Sequence, residues 1–423
     1  MIFNQDGFYK MLIDNSLRRN KFVGNSLILD YQFADNLFSN SGLVQKIITI
    51  PAEDALRAGF LLRGIDETLQ EKIFSLLEDL DANKIFSNAL SWDRLHGGAG
   101  IFMLIDDGGK LSEPVNENKI STIEKLEVYS PEDILPQTFY ADTSNKNFGT
   151  TELYTVTNYY GNSFEVHESR MLIFHGGVIS NRLRRARNGW GGTVLEQVES
   201  SLTHYLDSLH LSIAALEKLS QDILKLDGMT NLMQNDFGEE QVQKRLQLLD
   251  MYKRLENTVA IDSADDFDRK NLSLSGVKDV IEQAENALSA ACGIPSTILF
   301  GRSPAGMNAT GESDFENYYN LVGRIQERSL RPNLMQLIYF LSLANDLKFP
   351  EEWSIEFKPL WNLSEKERAE TEKLITETQN QKATMFKTLL EIGAMDAEEV
   401  RKIIAEDFQL DTSIDKILAE KTE

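Results

Sequence analysis

Residues 276–344 constrain the fold more than any other part of the chain, because two helical patterns flank a segment that neither helix can absorb. In the first pattern, apolar residues recur at steps of three and four, which predicts a helix with one apolar stripe. This stripe consists of Val277, Val280, Ile281, Ala284, Leu288 and Ala291. Lys278, Asp279, Glu282 and Glu285 fall off the stripe. The helix is expected to end at Gly293, shortly before Pro295.

After the short apolar run Ile298, Leu299 and Phe300, residues 301–311 are predicted to form an irregular loop. Glycines at 301, 306 and 311, together with Pro304, exclude regular structure. Met307 is its only large apolar side chain, so the loop is expected to face solvent or a partner. Its residues are Arg302, Ser303, Pro304, Ala305, Gly306, Met307, Asn308, Ala309, Thr310 and Gly311.

The second helix has a marked beginning and an internal irregularity. Ser313 and Glu316 have the spacing of a capping box, in which each side chain accepts a hydrogen bond from the other residue's amide. Pro332 then falls inside the apolar pattern. Because proline has no amide hydrogen and its ring crowds the carbonyl of Arg328, the pattern predicts a kink between Arg328 and Pro332.

The sequence GIPSTILFGRSPAGMNATGE, at 293–312, carries a specific resemblance. It resembles the GIP-x-x-x-LFG-x-SP-x-G-x-NATGE signature of one branch of the portal proteins of tailed double-stranded DNA phages. The resemblance implies a non-enzymatic α+β portal fold that forms a ring, usually a dodecamer, at one capsid vertex. Double-stranded DNA would be packaged, retained and ejected through that ring, with 302–311 lining its tunnel. Implied partners are the terminase large subunit, the head–tail adaptor, and the major capsid and scaffolding proteins.

The same resemblance divides the chain into expected regions. Residues 1–190 would form an α/β wing, completed by a strand in 351–363. Residues 191–226 and 275–293 would be two stem helices, with 227–274 as the clip between them. Residues 294–312 would be the tunnel loop, 313–350 the kinked tunnel helix, and 364–423 a helical crown.

Local patterns supply the elements of these regions independently of the resemblance. Residues 1–95 are predicted to be helical, and a leucine stripe predicts a long helix from Thr193 to about Leu226. Strands are predicted at 99–105, 123–129, 152–160, 163–166 and 170–174. The turn residues 106–109 suggest a hairpin after the first of them. Alternation of Trp353, Ile355 and Phe357 with polar residues predicts a further strand that returns to the wing sheet.

Charge and composition exclude several classes of protein. The net charge of −23 disfavours a conventional DNA-binding protein, because such a chain repels phosphates. No apolar run approaches the roughly 18 residues of a membrane span, and the first residues lack the pattern of a signal peptide. The single cysteine, Cys292, is expected to be a small core residue. These features are typical of a protein of a reducing cytoplasm, so we expect assembly in the host cytoplasm. The resemblance implies a final location in the virion, at the capsid portal vertex.

One basic cluster stands out in this acidic chain, and it consists of Arg182, Arg184, Arg185 and Arg187. Two interpretations remain open at this point. The cluster could be a solvated turn or a contact with an acidic neighbouring subunit, or it could contact DNA phosphates directly.

Two sequence patterns resemble a phosphate-binding loop and a calcium-binding loop, but each lacks residues that such a site requires. Gly301 and Gly306 have the spacing of a phosphate loop, but Met307 and Asn308 replace the required Lys and Ser or Thr. The acidic run of Asp262, Asp265, Asp266 and Asp268 lacks the frame of a calcium loop. No metal or cofactor is therefore expected.

Two His-x-Ser triplets provide the remaining enzymatic hypothesis. Paired triplets of this kind on adjacent strands form the site of two-histidine phosphodiesterases, here using His167 and His210. The second triplet lies inside a helical leucine stripe, which is the wrong context. This enzyme, and a helical adaptor without a channel, are kept as alternatives to the portal.

Overall fold

The amphipathic patterns of the chain fold into helices that pack on small antiparallel sheets. The computed structural model describes residues 30–217, 220–225, 244, 247, 266–271, 276–301, 312–350, 352–360 and 384–385. The helices are α1 (Tyr31–Asn40), α2 (Gly42–Arg57), α3 (Glu67–Asp79), α4 (Ala82–His96), α5 (Asn181–Ala186), α6 (Val194–Glu217), α7 (Val277–Cys292), α8 (Ser296–Leu299), α9 (Glu312–Ile325) and α10 (Arg331–Ala344). A π-helical turn, Gln326–Leu330, joins α9 to α10.

The ten strands found in the described residues form four antiparallel sheets. The strands are β1 (Phe60–Arg63), β2 (Ala99–Asp106), β3 (Thr122–Tyr129), β4 (Ile134–Phe139), β5 (Thr151–Thr157), β6 (Ser163–His167), β7 (Met171–Phe174), β8 (Ser220–Lys225), β9 (Asp266–Asn271) and β10 (Ser354–Phe357). Their orders are β3-β2-β7, β4-β5-β6, β1-β10 and β8-β9. The five strands predicted between 99 and 174 are all present, and the α+β class is confirmed.

Strand β4 was missed by the pattern analysis. Only Ile134 of its six residues is buried, so no alternation marks the strand. Pro136 also argues against a strand, but β4 lies at the edge of its sheet, where a missing amide donor is tolerated.

The prediction of a helix from Thr193 to Leu226 was wrong in its last part. Helix α6 ends at Glu217, and Ser220–Lys225 forms strand β8, which pairs with β9. In this pairing Asp222 lies opposite Arg269 in the register. Local periodicity predicted a helix here because it does not register a partner strand that lies more than forty residues away in the sequence.

Two further expectations about the periphery need correction. Residues 1–95 are not uniformly helical, because β1 interrupts them. The predicted strand after residue 350 exists as β10, but it pairs with β1 in a separate two-stranded sheet and joins neither three-stranded sheet. The structure divides into two compact units, Met1–Leu360 and Trp361–Glu423, and most of the second unit, the expected crown, lies outside the described residues.

Helix α7 packs against α6, but its buried face is rotated relative to the predicted stripe. Glu285, placed off the stripe, is buried, whereas Val280, placed on it, is 56% exposed. Leu288 and Cys292 are buried as predicted. The helix ends at Gly293, whose φ of 71° is the left-handed conformation typical of this position.

Three glycine pairs, Gly97–Gly98, Gly176–Gly177 and Gly191–Gly192, bring three chain segments into backbone contact; we call them the glycine junction. The amide of Gly191 donates to the carbonyl of Gly97 at 2.8 Å, and Gly177 and Gly192 exchange two hydrogen bonds of 2.9 Å. A Cβ atom on Gly176 would lie 2.1 Å from the Gly97 carbonyl oxygen. The junction therefore fixes the beginning of α6 to the ends of α4 and β7.

Two adjacent charged residues of α4 support this junction and the neighbouring helix. The Asp93 carboxylate accepts a hydrogen bond from the Gly176 amide at 2.6 Å. Burial raises the pKa of Asp93 to about 6, against the opposing effects of that amide and of Arg94. Arg94 donates to the carbonyls of Ile47 and Ile48 in α2, at 2.8 and 3.1 Å. Through Asp93 and Arg94, helix α4 connects the segment that follows β7 to helix α2.

A buried ion pair organises the connection between β2 and β3. The Arg170 guanidinium donates to Asp107 Oδ2 at 2.7 Å, and to the carbonyls of Glu113 and Ile105. Asp107 also accepts hydrogen bonds from the amides of Gly109 and Asn116. The expected hairpin is present, since β2 pairs with β3 antiparallel, and its connection is long, with a 3₁₀ turn at Glu117–Lys119. The conformation of this connection depends on Arg170, because the side chains of Arg170 and Asp107 are almost fully buried, at 0% and 1% exposed.

Candidate functional site

The candidate loop itself, 302–311, lies outside the described residues, but the structure shows both elements that frame it. On the upstream side, α8 ends at Leu299 and Gly301 has a φ of 69°. On the downstream side, α9 begins at Glu312, one residue before the predicted cap Ser313. The positions of these two elements decide where the loop begins and ends.

Helix α2 holds the upstream end. The Lys46 ammonium donates to the Leu299 carbonyl at 3.3 Å, which caps the short helix α8. Leu299 itself is buried in the main core. Next to it, the Phe300 ring packs on the Tyr205 ring of α6, with 5.4 Å between their centroids. The upstream end is therefore fixed to both α2 and the long helix α6.

Helix α2 also holds the downstream end. The Tyr318 hydroxyl of α9 donates to Asp54 Oδ2 at 2.6 Å. Burial raises the pKa of Tyr318 well above its ordinary value, and the Asp54 carboxylate raises it further. Arg57 pairs with Asp54 at 3.2 Å and lies over the Tyr319 ring, 6.0 Å from its centroid. One turn of α2 thus binds the first turns of α9.

We call α2, with its contact residues Lys46, Asp54 and Arg57, the platform of the loop. This platform was not predicted from the sequence, since polar side chains at these three positions are typical of the solvated side of an amphipathic helix. No local signal could have found the contacts, because Asp54 and Tyr318 are separated by 264 residues. The platform is the structural feature that both loop ends share.

Replacing Tyr318 with phenylalanine is expected to loosen the downstream end of the loop. The change removes the hydrogen bond from the buried Tyr318 hydroxyl to the Asp54 carboxylate. Loss of a hydrogen bond to a charged group lowers the free energy of unfolding by about 1.5–3 kcal/mol. Amide hydrogen exchange in α9 should become faster, while exchange in the sheets should not change. Tyr339→Phe, which removes an exposed hydroxyl contact to Glu117, is the matched control and should have a much smaller effect. Equal exchange in both variants would contradict the role of the platform.

The predicted kink coincides with the π turn. The Arg331 amide donates to the Gln326 carbonyl, a five-residue step, immediately before Pro332. The wider register accommodates a residue that has no amide hydrogen. Gln326 donates to the Ala55 carbonyl of α2 at 2.8 Å, so the turn is also attached to the platform. The bend across Arg328 and its role remain predictions.

Contacts on the other side of the π turn fix it to β10. Arg331 forms an ion pair with Glu327 at 2.6 Å and donates to the carbonyl of Ile355. Its guanidinium also lies 5.3 Å from the centroid of the Phe357 ring. The turn is therefore held between α2 and β10.

The four arginines of the basic cluster lie in two different environments. Arg187 forms two hydrogen bonds to the Glu196 carboxylate, at 2.5 and 2.9 Å, and its side chain is 7% exposed. It therefore stabilises the beginning of α6 within the chain. Arg182, Arg184 and Arg185 lie on α5 and are exposed. Only these three can face another molecule.

His167 belongs to a closed hydrogen-bond network. The Ser169 amide donates to His167 Nδ1 at 3.2 Å, so the neutral ring carries its proton on Nε2, 3.4 Å from the Tyr140 hydroxyl. Tyr140 in turn donates to Glu168 at 3.1 Å. Burial lowers the pKa of His167, and burial together with Glu168 raises the pKa of Tyr140 to about 12. The network holds the loop after β4 against β6.

The second histidine of the enzymatic hypothesis lies on a different kind of element. His210 is an exposed residue of helix α6, whereas His167 ends strand β6. The adjacent strands of a two-histidine site are therefore not formed by these two triplets. Of the acidic run, Asp266 and Asp268 lie on β9, and Asp262 and Asp265 are outside the described residues.

The described residues contain no arrangement that points to a metal or a membrane. No group of three or more His, Cys, Asp or Glu side chains there could hold a metal ion. None of the helices in that part of the chain is both long and apolar enough to cross a membrane.

Curated relatives cover most of the chain at modest identity. An uncharacterized protein of Haemophilus influenzae is 27% identical over 90% of this chain and 85% of its own length. A Caulobacter protein named Anti-CBASS protein Acb1 is 27% identical over 68% of this chain and 47% of its own length. A Sphingomonas paeninsulae protein of the same name is 25% identical over 83% of this chain and 57% of its own length. The chain thus spans about half the length of these two Acb1 relatives.

Solved structures and a family model both match the chain. A structure described as the neck of a native GTA particle computed with C12 symmetry has a TM-score of 0.52 at 12% identity. The match covers 88% of this chain and 92% of that one, which shows a shared fold. The family model described as phage portal protein matches residues 34–381. Because this match spans most of the sequence, the chain belongs to the phage portal protein family.

Proposed function

We propose that this chain forms the ring-shaped portal at one capsid vertex, through which double-stranded DNA is packaged, retained and later ejected. The family match supports the portal role. The ring is expected to contain about twelve copies, and the C12 symmetry of the similar neck structure supports this number. The portal itself performs no chemistry, since the family is structural.

The observation that carries the tunnel proposal is the anchoring of both loop ends to one helix. Lys46 contacts Leu299, shortly before 302–311, and Asp54 and Arg57 contact helix α9, which follows 302–311. A loop that is too polar to pack, yet has both of its flanking elements bound to one helix, is suited to project at a fixed place. We therefore place 302–311 on the wall of the channel.

Weak contact with DNA suits this position. Asn308 and Thr310 offer neutral hydrogen bonds, and Arg302 is the only cation of the loop. Contacts of this kind go to the DNA backbone and carry no sequence information. The acidic chain as a whole repels phosphates, so DNA can slide through the ring.

The insertion between α6 and α7 is proposed to contact the packaging and tail machinery. The paired strands β8 and β9 begin and end this insertion, β8 after α6 and β9 before α7, and these two helices pack against each other. We propose that the terminase large subunit and the head–tail adaptor dock there. The major capsid and scaffolding proteins are proposed to contact other parts of the ring.

The two-histidine phosphodiesterase is the weaker hypothesis for this chain. His167 is enclosed in the network with Ser169 and Tyr140, and His210 lies on a helix. The relatives named Anti-CBASS protein Acb1 match over only about half of their own length. A monomer that hydrolyses phosphodiesters would favour the enzyme, whereas a ring of about a dozen copies without such activity supports the portal.

Deleting residues 305–309 tests the tunnel proposal. Expression, folding and ring mass should stay at the wild-type level, because the deletion leaves the platform contacts intact. Retention of packaged DNA should fall, because the shorter loop no longer reaches the channel. A variant with five Gly and Ser residues in place of 305–309 keeps the length and should retain DNA nearly as well as wild type. Full-length genomes retained at wild-type yield in the deletion variant would rule out the tunnel assignment.

A further inference from the structure

A cavity of about 800 Å³ lies between the sheet β4-β5-β6 and the helices α5 and α10. Its apolar lining includes Met171, Ile173 and Tyr154, which we call its floor. Arg184, Arg185 and His175 also line the cavity, together with one carboxylate, that of Glu168. Burial and the nearby Arg184 both lower the pKa of His175, so at neutral pH the positive charge comes from the two arginines. The volume is in the range of pockets that enclose large side chains or ligands, roughly 300–1,000 Å³.

The turn between β5 and β6 carries the two most exposed aromatic side chains of the described residues. Tyr159 is 95% exposed and Tyr160 is 84% exposed, and their rings contact each other edge to face at 5.5 Å. Asn158 rigidifies the turn, because its side-chain oxygen accepts from the amides of Tyr160 and Asn162, both at 3.0 Å. We call Tyr159 and Tyr160 the aromatic tip. Two adjacent aromatic rings on a rigid turn are typical of an interaction surface.

The cavity lies beside the first part of β5, and the aromatic tip lies beyond the end of the same strand. Thr151 and Tyr154 of β5 line the cavity, whereas the tip follows Thr157, the last residue. The three residues from Tyr154 to Thr157 separate the nearest lining residue of β5 from the start of the turn by roughly 10 Å, at about 3.4 Å per residue. Because the paired sheet keeps β5 straight, the tip cannot enter the cavity of its own copy. Two different, complementary surfaces that point apart are what a head-to-tail association needs, and such associations close into rings.

Charge complements this shape. Glu132 is exposed, and Asp133 lies at the tip end of the sheet, where its carbonyl accepts from the Thr157 amide at 2.9 Å. The exposed Arg184 and Arg185 line the cavity. The carboxylates beside the tip of one copy would therefore attract the arginines in the cavity of the next copy. Arginine side chains also stack favourably on tyrosine rings.

We propose that the aromatic tip of one copy inserts into the cavity of the next copy, with Tyr159 and Tyr160 over the apolar floor and beside Arg184 and Arg185. This interface rests on the proposed ring, and it assigns the exposed arginines to contact between subunits and not to DNA. Tyrosine and arginine are the residues that most often dominate binding at such interfaces.

Cross-linking of a double cysteine variant tests the contact directly. Cys292 is the only native cysteine and is buried, so it can stay in place. The variant Tyr160→Cys with Asn188→Cys places one thiol on the tip and one at the cavity, since Asn188 is an exposed lining residue. Treatment with a flexible bismaleimide should give a ladder of covalent oligomers up to the size of the ring. Each single variant should give no ladder beyond the dimer.

Tyrosine substitutions give a second, independent measurement. Tyr159→Ala with Tyr160→Ala should shift the ring to smaller species in native mass measurements, with the circular dichroism spectrum of the folded chain unchanged. Tyr159→Phe with Tyr160→Phe keeps both rings and should still assemble. Rings of the double cysteine variant that give no ladder, or alanine variants that assemble like wild type, would overturn this interface while leaving the portal proposal in place. A wild-type chain that forms no ring at all would overturn both.

Discussion

Replacing Gly176 with alanine is expected to lower the free energy of unfolding by about 2–5 kcal/mol. Part of this cost is conformational, because Gly176 has a φ of 69°, a left-handed conformation that costs an alanine about 1–2 kcal/mol. The rest is steric, since the new Cβ atom would lie 2.1 Å from the Gly97 carbonyl oxygen, a backbone atom that cannot rotate away. Overpacking of this kind costs roughly 1–3 kcal/mol.

A matched glycine separates these two contributions. Gly149 has a similar φ of 82°, but a Cβ atom there would meet nothing within 4 Å. Gly149→Ala should therefore show only the conformational cost. Urea unfolding followed by circular dichroism gives both values. If the two variants lose equal stability, the close contact at the glycine junction contributes nothing.

The glycine junction also links folding to function. It fixes the beginning of α6 relative to the sheet, and Tyr205 of α6 contacts Phe300 just before the loop. A variant with a disturbed junction should therefore also alter the upstream end of 302–311. Amide hydrogen exchange at 296–301 in Gly176→Ala, compared with Gly149→Ala, measures this effect.

Replacing Arg170 with alanine is expected to destabilise the fold by about 3–5 kcal/mol, because it leaves the buried Asp107 carboxylate without its ionic partner. The substitution also removes donors from the carbonyls of Glu113 and Ile105. Arg63→Ala is the matched control, since Arg63 and Glu356 form an ion pair whose side chains are 59% and 52% exposed. An exposed pair of this kind contributes little to stability, because solvent screens it. Similar losses in the two variants would contradict a stabilising role for the buried pair.

The pH dependence of stability supplies a second measurement on the same pair. Burial alone would raise the pKa of Asp107, but the amides of Asn116 and Gly109 and the Arg170 guanidinium outweigh it and hold the pKa below its ordinary value of 3.8. The contribution of Asp107 is therefore fully present above about pH 4 and is lost as the pH falls through its lowered pKa. In Arg170→Ala this loss at acid pH should become smaller.

Several features of this protein could be predicted from local patterns. The helices α7 and α9, the end of α7 at Gly293 and five strands between 99 and 174 all follow from periodicity and turn residues. The signature at 293–312 pointed to the portal family, which the family model supports over 34–381. These features are predictable because each depends on residues close together in the chain.

What only the tertiary structure decided depends on partners far away in the sequence. Ser220–Lys225 became a strand because Asp266–Asn271 pairs with it, and Glu285 is buried because α7 packs on α6 with a rotated face. The platform under the loop and the pairing of Arg187 with Glu196 also have no local signature. Periodicity predicts that a side chain is buried, but it does not identify the element against which the side chain packs. The positions of the elements that flank 302–311 therefore depend on contacts that only the folded chain makes.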